Sequence, residues 1–323
     1  MHRTHSARRS PVSQPRLDRT ARLGSEKGHR RWRRRGRRGQ VAPVATILGL
    51  LLVVTFIANY LTTTLPGQMS VNDLNHEVQV ENQVGKLSAL LQAVSLTGTQ
   101  GAQVIQPISL GTLAAPPFAA ADYSVLSPGN LTGRLTVSFS VTGPGPTVHK
   151  YTNLGVPGGS LLVHLANTYA TAADVAYDQG AVIYAQPAGY PILVDPPSIT
   201  LVNGALSIWV PSFQGTARTE SGIGTAVVTA RLVSLDALSY PVNGFALTTG
   251  STVWVNVSTP YPAVWTNFLN AITPTSVSPT CTGVRNVCSS SYQSSGPSAL
   301  VSIAIPSVTS LSIDYATFAV AFG

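Results

Sequence analysis

A long, predominantly apolar stretch of the chain extends from Val41 to Leu65 and reads VAPVATILGLLLVVTFIANYLTTTL. It contains no Asp, Glu, Lys, Arg or His. Because a helix rises about 1.5 Å per residue, about 20 residues are enough to cross a hydrocarbon layer roughly 30 Å thick. The sequence therefore predicts a transmembrane helix over residues 41–65. A buried core helix and a cleaved secretory signal are the weaker alternatives, since a signal has a shorter apolar region.

Beyond Pro66–Gly67, apolar residues recur at steps of three and four, which predicts an amphipathic juxtamembrane helix over residues 66–98. Gly98 supplies its C-terminal stop. The apolar side of such a helix has to lie against something, either the chain's own outer domain or neighbouring copies. The predicted stripe consists of Val71, Leu74, Val78, Glu81, Val84, Leu87, Leu91 and Val94.

Residues 99–323 carry short apolar or alternating runs separated by Pro, Gly and Asn. In residues 134–141, every second residue is apolar, which is the pattern of a half-buried antiparallel strand. Residues 261–272 instead have apolar residues at four-residue steps and predict a short helix. Further predicted strands lie at 160–166, 180–186, 205–210, 224–235, 251–258 and 298–306, with one or two more in the last run of the chain. The fold class predicted is α+β, with a transmembrane helix continuing into an amphipathic helix and then a mainly antiparallel β-sandwich-like domain.

Charge is distributed unevenly and predicts the orientation in the membrane. Residues 1–40 hold 14 Lys and Arg against two acidic residues, whereas the remaining 283 residues hold six against ten. Cationic flanks stay in the cytoplasm, so we expect a cytoplasmic N-terminus and an extracytoplasmic C-terminal domain. The Arg-rich tail, residues 1–40, is expected to be disordered. Its expected role is to set topology rather than to bind nucleic acid or anionic lipid.

Residues with catalytic chemistry are sparse in the predicted outer domain. Its two histidines are His149 and His164, and His164 lies within an apolar run that predicts a packed strand residue. No nucleophile elbow, zinc-protease or phosphate-loop motif occurs, so neither an enzyme nor a cofactor is predicted. Asp174, Asp178 and Asp195 share one turn-rich region, but their spacing does not match a calcium-binding loop, and no metal site is predicted.

Two covalent features are predicted outside the membrane. Cys281 and Cys288 are close enough in sequence to form a disulfide that closes a small loop, and an extracytoplasmic compartment would permit its oxidation. Asn130, in Asn-Leu-Thr, and Asn256, in Asn-Val-Ser, are acceptor sites for N-linked glycan. Asn130 is the better candidate, because Asn256 lies in a predicted strand.

The N-terminal stretch RRGQVAPVATILGLLLVVTFIANYLTTTLPG, followed by NDLNHEVQVENQVGKLSALLQAV, resembles archaeal type IV pilin-like and archaellin-like proteins. In that group a basic leader precedes an apolar helix that extends into an amphipathic one. Residues 165–235 are also similar to uncharacterised archaeal pilin-like surface proteins. They share a Tyr-rich stretch, a Gly-Ala-Val-Ile strand followed by Gln, and a Ser-Gly-x-Gly turn before a Val-rich strand. The two regions cover roughly half of the chain.

The resemblance implies cleavage by a prepilin-type peptidase after Gly39, with Arg37 and Arg38 before the bond and Gln40 as the new N-terminus; Gly36 is the alternative. Bacterial pilins carry Glu five residues into the mature chain, where this sequence has Val44.

The leading hypothesis is a type IV pilin-like structural or adhesive subunit of the cell surface. Its expected partners are the lipid bilayer, the peptidase and, through the N-terminal helix, other pilin-like subunits. The alternative hypothesis is a permanently anchored single-pass surface protein that binds a partner and is neither processed nor polymerised. An extracytoplasmic enzyme is the third.

Overall fold

The computed structural model describes residues 41–112, 121–129, 133–143, 147–215, 218–249, 252–273, 280–282 and 299–323. It shows a long apolar helix at the N-terminal side followed by a largely antiparallel β-rich domain. The predicted α+β class is confirmed at this level. The chain divides into two compact units, Met1–Thr55 and Phe56–Gly323.

The helical part consists of α1 (Val41–Asn59), a π-helical turn (Tyr60–Thr64) and α2 (Leu65–Thr97). Of the described residues, only the stretch Pro43–Thr97 is helical, long and apolar enough to cross a membrane. The side chains of α1 that the structure describes are all exposed, so its apolar surface is not covered by the described part of the chain.

The π-helical turn comes directly before a proline. The N–H of Leu65 bonds to the carbonyl of Tyr60, five residues back, and Pro66 follows with no N–H to donate. Thr62 and Thr63 donate their hydroxyls to the carbonyls of Ala58 and Asn59, at 2.9 and 2.6 Å. The helix therefore continues through Pro66–Gly67, because one wider turn and two side-chain hydrogen bonds adjust the backbone there.

The remaining helix and the strands are distributed over residues 103–322. Their bounds are β1 Gln103–Ser109, β2 Tyr123–Pro128, β3 Arg134–Thr142, β4 Val148–Pro157, β5 Ser160–Ala166, β6 Ala173–Asp178, β7 Ala181–Ala185, β8 Ile192–Asp195, β9 Ile199–Val202, β10 Ala205–Gln214, β11 Glu220–Gly222, β12 Thr225–Tyr240, β13 Ala246–Leu247, β14 Val253–Thr259, α3 Pro262–Ile272, β15 Thr280–Thr282, β16 Ala299–Ile305 and β17 Ser310–Phe322. The last apolar run thus forms a single strand.

The strands form three sheets. The first has the order β1-β12-β17-β10-β9, and its β10–β17 pair is parallel. The second has the order β11-β2-β5-β6-β7-β8 and is antiparallel throughout. In the third, β14 lies between β3 and β16, β15 pairs with β16, and β4 and β13 both pair with β3. Residues far apart in sequence are therefore neighbours, as in the pairing of Ala205 with Ser310.

Two apolar cores lie between these elements. The helix core packs four buried residues of α2 against the first and second sheets. The sheet core joins the inner side chains of the third sheet to α3 and to residues of β6, β7, β10 and β17. The α2 residues of the helix core are Val80, Val84, Leu87 and Leu91.

The β6–β7 hairpin contributes to both cores. Val175 and Tyr177 of β6 belong to the helix core, while Ala176, between them, belongs to the sheet core. Every residue of β6 is buried, including Asp174 and Asp178. The half-buried alternation that predicts outer-domain strands therefore does not describe this one.

Candidate assembly interface

The buried side of α2 changes character along its length. From Val80 to Leu91 it is apolar and belongs to the helix core. Toward the N-terminus the buried residues include Asp73, His76 and Glu77. We call these three residues, with Asp122 of the β-rich domain, the polar seam.

Asp73 is held by backbone groups of the segment between β5 and β6. Its side chain is 0% exposed, and its Oδ2 accepts hydrogen bonds from the N–H groups of Tyr169 at 3.1 Å and Ala170 at 3.0 Å. Asp122 accepts from the N–H of Thr168 at 3.2 Å and also from the Thr168 hydroxyl. Burial raises the pKa of Asp73, and its nearby partner Asp122 raises it further, against the two N–H donors.

Glu77 forms the second contact of the seam. Its carboxylate accepts from the amide of Asn167 at 2.5 Å and from the hydroxyl of Tyr184 at 2.8 Å. Burial raises the pKa of Glu77, and these two donors only partly oppose the shift. Nearby, the Nε2 of His76 lies 3.3 Å from the carbonyl of Ser109, and burial lowers the pKa of His76. The seam therefore joins α2 to the second sheet through satisfied polar groups.

Opposite the polar seam, α2 carries exposed apolar residues. Val71, Leu74 and Val78 are 56%, 49% and 55% exposed. At about 100° per residue they form one row, on the far side of the helix from Asp73 and Val80. We call these three residues the apolar row. The apolar residues from Val71 to Val78 therefore face solvent, whereas Met69 before them and Val80 after them are buried.

The two halves of the predicted stripe of α2 have different surroundings. Val84, Leu87 and Leu91 are buried in the helix core, whereas the apolar row is exposed. The steps of the stripe average about 3.3 residues, which is shorter than the roughly 3.6 residues of one turn. The stripe therefore winds around the helix and cannot lie on one surface. Asp73, His76 and Glu77 occupy the buried side of α2 near its N-terminus. The spacing of apolar residues does not predict that polar residues are buried there.

The three acidic residues of the turn-rich region, Asp174, Asp178 and Asp195, do not form a cluster in the part of the chain that the structure describes. Asp178 accepts from the Thr259 hydroxyl at 2.5 Å and from the Trp265 indole N–H at 3.0 Å. Its complete burial raises its pKa to about 6, although both bonds oppose the shift. It therefore connects the β6–β7 hairpin to β14 and α3, while Asp195 lies on strand β8 at the edge of the second sheet.

His164 is not the fully packed residue predicted from its strand. Its side chain is half-exposed, and its Nδ1 lies 2.6 Å from Oδ1 of the buried Asp174. Burial raises the pKa of Asp174, and His164 opposes that shift. The pair joins β5 to β6 directly across the strands, a position in which interacting side chains stabilise a sheet.

The structure places the remaining predicted sites as follows. Asn256 is half-buried in β14, between Thr136 and Ser302. Strand β15 contains Cys281, paired with Val301. The predicted cleavage site (Arg37, Arg38, Gly39 and Gln40), the sequon residue Asn130 and the second cysteine, Cys288, lie outside the described residues.

Comparison with known proteins gives one family. No curated protein and no solved structure matches the chain significantly. The family described as a family of unknown function, DUF7289, matches residues 125–303, which include most of the β-rich domain. The chain therefore belongs to the DUF7289 family.

Proposed function

We propose that the protein is a type IV pilin-like structural or adhesive subunit of the cell surface, anchored by its single N-terminal transmembrane helix. The observation that carries the proposal is the apolar row of Val71, Leu74 and Val78. These residues lie beyond the predicted end of the membrane span at Leu65 and are exposed on α2. Exposed apolar side chains in a row on one helix face are typical of contacts with another helix.

Because of the polar seam, α2 can contact the β-rich domain on one side and a second copy of the chain on the other. Asp73 and Glu77 bind the β-rich domain through hydrogen bonds. The apolar row is therefore not needed to hold α2 on that domain. Burial of an apolar side chain stabilises an association by about 25 cal/mol per Å² removed from water. A second copy that covers the row would gain this free energy without disturbing the seam.

The membrane arrangement completes the proposal. The Arg-rich tail is cytoplasmic and the β-rich, sandwich-like domain is extracytoplasmic, as the positive-inside bias favours. Cleavage after Gly39 by a prepilin-type peptidase would remove the 14 cations, which otherwise oppose withdrawal of the helix from the bilayer. The mature helices then pack side by side, and the β-rich domains form the outer layer.

Photo-crosslinking in the native cells tests the role of the apolar row. A photoreactive phenylalanine derivative replaces Leu74, and in a matched control it replaces Gln79, which is also exposed on α2 but lies on the flank of the row. A head-to-tail contact between subunits produces an open series of multimers. We expect crosslinked products at successive multiples of the chain mass from position 74 and mainly uncrosslinked chain from position 79. Uncrosslinked chain at both positions, or equal yields from the two, contradicts the proposal.

A permanently anchored surface protein that binds a partner is the second candidate. It is favoured by Val44, because the Glu that registers bacterial pilin helices is absent at that position. In this case the tail stays attached and the apolar row contacts a different protein. Mass spectrometric identification of the species crosslinked at position 74 separates the two candidates: copies of this chain support the pilin-like subunit, and a different protein supports the anchored binder.

A further inference from the structure

The outer surface of the third sheet carries one exposed aromatic residue at its centre. Along β14, Val253, Val255 and Val257 are buried in the sheet core. Because side chains alternate along a strand, Trp254, Asn256 and Ser258 share the outer face. Trp254 is 46% exposed.

Short side chains surround this tryptophan. Trp254 pairs with Ser138 of β3 on one side and with Ala304 of β16 on the other. Neither neighbour is long enough to cover the indole ring. A large aromatic ring exposed on the middle strand of a sheet is unusual, because such rings normally bury most of their surface. The arrangement leaves nearly half of the Trp254 surface exposed on the outer side of the sheet.

Asn256 occupies the next outward position along the strand. Its Nδ2 donates to the Thr136 hydroxyl at 3.5 Å, and its Oδ1 accepts from the Ser302 hydroxyl at 2.5 Å. Residues two apart on one strand are roughly 7 Å apart. A group attached to the Asn256 amide is therefore within reach of the Trp254 ring, on the same face.

We propose that Asn256 carries an N-linked glycan whose first sugar ring packs on the indole of Trp254. Asn256, Val257 and Ser258 form an acceptor sequence, and the structure places its Asn and Ser on the open face beside the tryptophan. The inference depends on the extracytoplasmic location in the proposed function, since such transfer takes place outside the cytoplasm.

The covalent step uses an activated sugar donor, a lipid-linked oligosaccharide phosphate, and a membrane oligosaccharyltransferase. The Asn256 amide nitrogen attacks the anomeric carbon, forming the N–C bond. The C–O bond to phosphate breaks, its electron pair leaves with the lipid phosphate, and the amide gives up one proton to a base of the transferase. Transfer precedes pairing of β14, because the folded sheet holds the amide against Thr136.

The modified amide remains compatible with the folded sheet. An asparagine amide has two N–H groups and one carbonyl. Glycosylation removes one N–H, so the other can still donate to Thr136 and the carbonyl can still accept from Ser302. The C–H groups on one side of a pyranose carry small positive charges, and the face of the indole is negative. Packing of the ring on Trp254 therefore covers the exposed aromatic surface.

Peptide mapping of the protein purified from its own cells tests the attachment. We expect the peptide that contains Asn256 to carry a sugar mass, to lose it in Ser258→Ala and to retain it in Ser258→Thr. An unmodified Asn256 peptide in the wild-type protein overturns the inference.

A double-mutant comparison tests the contact with Trp254. In the glycosylated protein, Trp254→Ala is expected to lower the Tm by about 2–4 °C more than it does in the Ser258→Ala background, which has the same strand but no sugar. An equal fall in both backgrounds means that the tryptophan does not hold the sugar.

Glycosylation at Asn130 and protease accessibility distinguish a failure of this inference from a failure of the proposed extracytoplasmic location. Glycan at Asn130 but not at Asn256 overturns the inference and supports the extracytoplasmic location. If both sites are unmodified, the inference fails in either case, and protease added to whole cells then decides the location. Cleavage of the β-rich domain upholds the location, and full protection contradicts it.

Discussion

Asp73 is the most enclosed polar residue of α2, and two backbone N–H groups of the β5–β6 connection donate to its Oδ2. Both donors belong to partly buried residues, and both lose this acceptor when the carboxylate is removed. A buried donor left unsatisfied destabilises a protein by about 1–3 kcal/mol. Asp73 therefore helps to hold α2 against the β-rich domain through its hydrogen bonds, and not only through its negative charge.

Replacing this residue tests the contribution of the polar seam to stability. Asp73→Ala removes the acceptor of Tyr169 and Ala170, and we expect the free energy of unfolding to fall by about 2–4 kcal/mol. The matched control, Asn75→Ala, alters an exposed residue of the same turn and should change it by less than about 0.5 kcal/mol. Urea unfolding of the full chain in detergent micelles measures both. Similar stabilities for the two variants contradict the assigned role of Asp73.

The raised pKa of Asp178 predicts that stability depends on pH in a way that differs from ordinary acid unfolding. Its pKa is raised by burial to about 6 in the folded protein, from an ordinary value of 3.8. The folded state therefore binds more protons than the unfolded state between these values. This contribution to stability is fully present below pH of about 4 and is lost as the pH rises through about 6. Because two pKa units correspond to about 3 kcal/mol, the change is measurable.

The comparison with Asp178→Asn isolates this effect, because Asn can still accept from Thr259 and Trp265 through its carbonyl oxygen. Between pH of about 4 and about 7, the wild-type free energy of unfolding should fall by roughly 3 kcal/mol more than that of the variant. Urea titrations at the two pH values give the difference. Parallel pH curves for the two proteins show that Asp178 titrates normally.

At the scale of elements, α2 shows what a hydrophobic pattern can and cannot predict. The existence of the helix follows from its recurrent apolar residues, and its end at Thr97 follows from Gly98, which has the left-handed φ of +63°. Which side is buried does not follow from that pattern. The bonds of Asp73 and Glu77 to residues about 90 positions away decide it, and no local signal reports such distant partners.

The apolar row should affect assembly and not folding. We expect the triple variant Val71→Asn, Leu74→Asn, Val78→Asn to lower the free energy of unfolding by no more than about 1 kcal/mol, since these side chains are exposed. It should nevertheless eliminate the multimers captured by crosslinking. The control Val84→Asn introduces an amide into the helix core and should destabilise by 3 kcal/mol or more, on the order expected for a buried unpaired polar group. Unchanged multimers in the triple variant contradict the role of the row.

Substitution by alanine is predicted to have opposite effects at Gly98, which caps α2, and at Gly85, which lies within it. Gly98 has the left-handed conformation that alanine adopts unfavourably, so Gly98→Ala should destabilise by about 1–2 kcal/mol. Gly85 is within the helix and has open space where a methyl group would go, so Gly85→Ala should stabilise by about 0.5–1 kcal/mol. Thermal unfolding of the two variants gives both signs. The same sign for both is the contrary result.

At the scale of the whole molecule, the sequence predicts strands better than it predicts their partners. Residues 134–141, 160–166 and 298–306 show the alternation of half-buried strands, and each contains a strand in the structure. The parallel pairing of Ala205 with Ser310 depends on packing between distant segments, which period-two patterns do not encode. The complete burial of β6 is missed for the same reason, because both of its faces contact apolar cores.

The same limit applies to the candidate interface. The apolar character of Val71, Leu74 and Val78 is evident in the sequence, and so is the possibility that neighbouring copies cover them. The hydrogen bonds of the polar seam determine which side of α2 faces the β-rich domain, and they leave these three residues on the exposed side. The polar seam and the apolar row together leave a folded β-rich domain with an exposed apolar surface on α2, and the proposed assembly depends on that surface.

The intact mass of the protein in the sheared surface fraction and the membrane fraction of its own cells tests the pilin-like subunit most directly. We expect the assembled protein in the surface fraction to lack residues 1–39 and to begin at Gln40, because the cationic tail cannot leave the cytoplasm. A full-length chain that begins at Met1 and is found only in the membrane fraction contradicts the account.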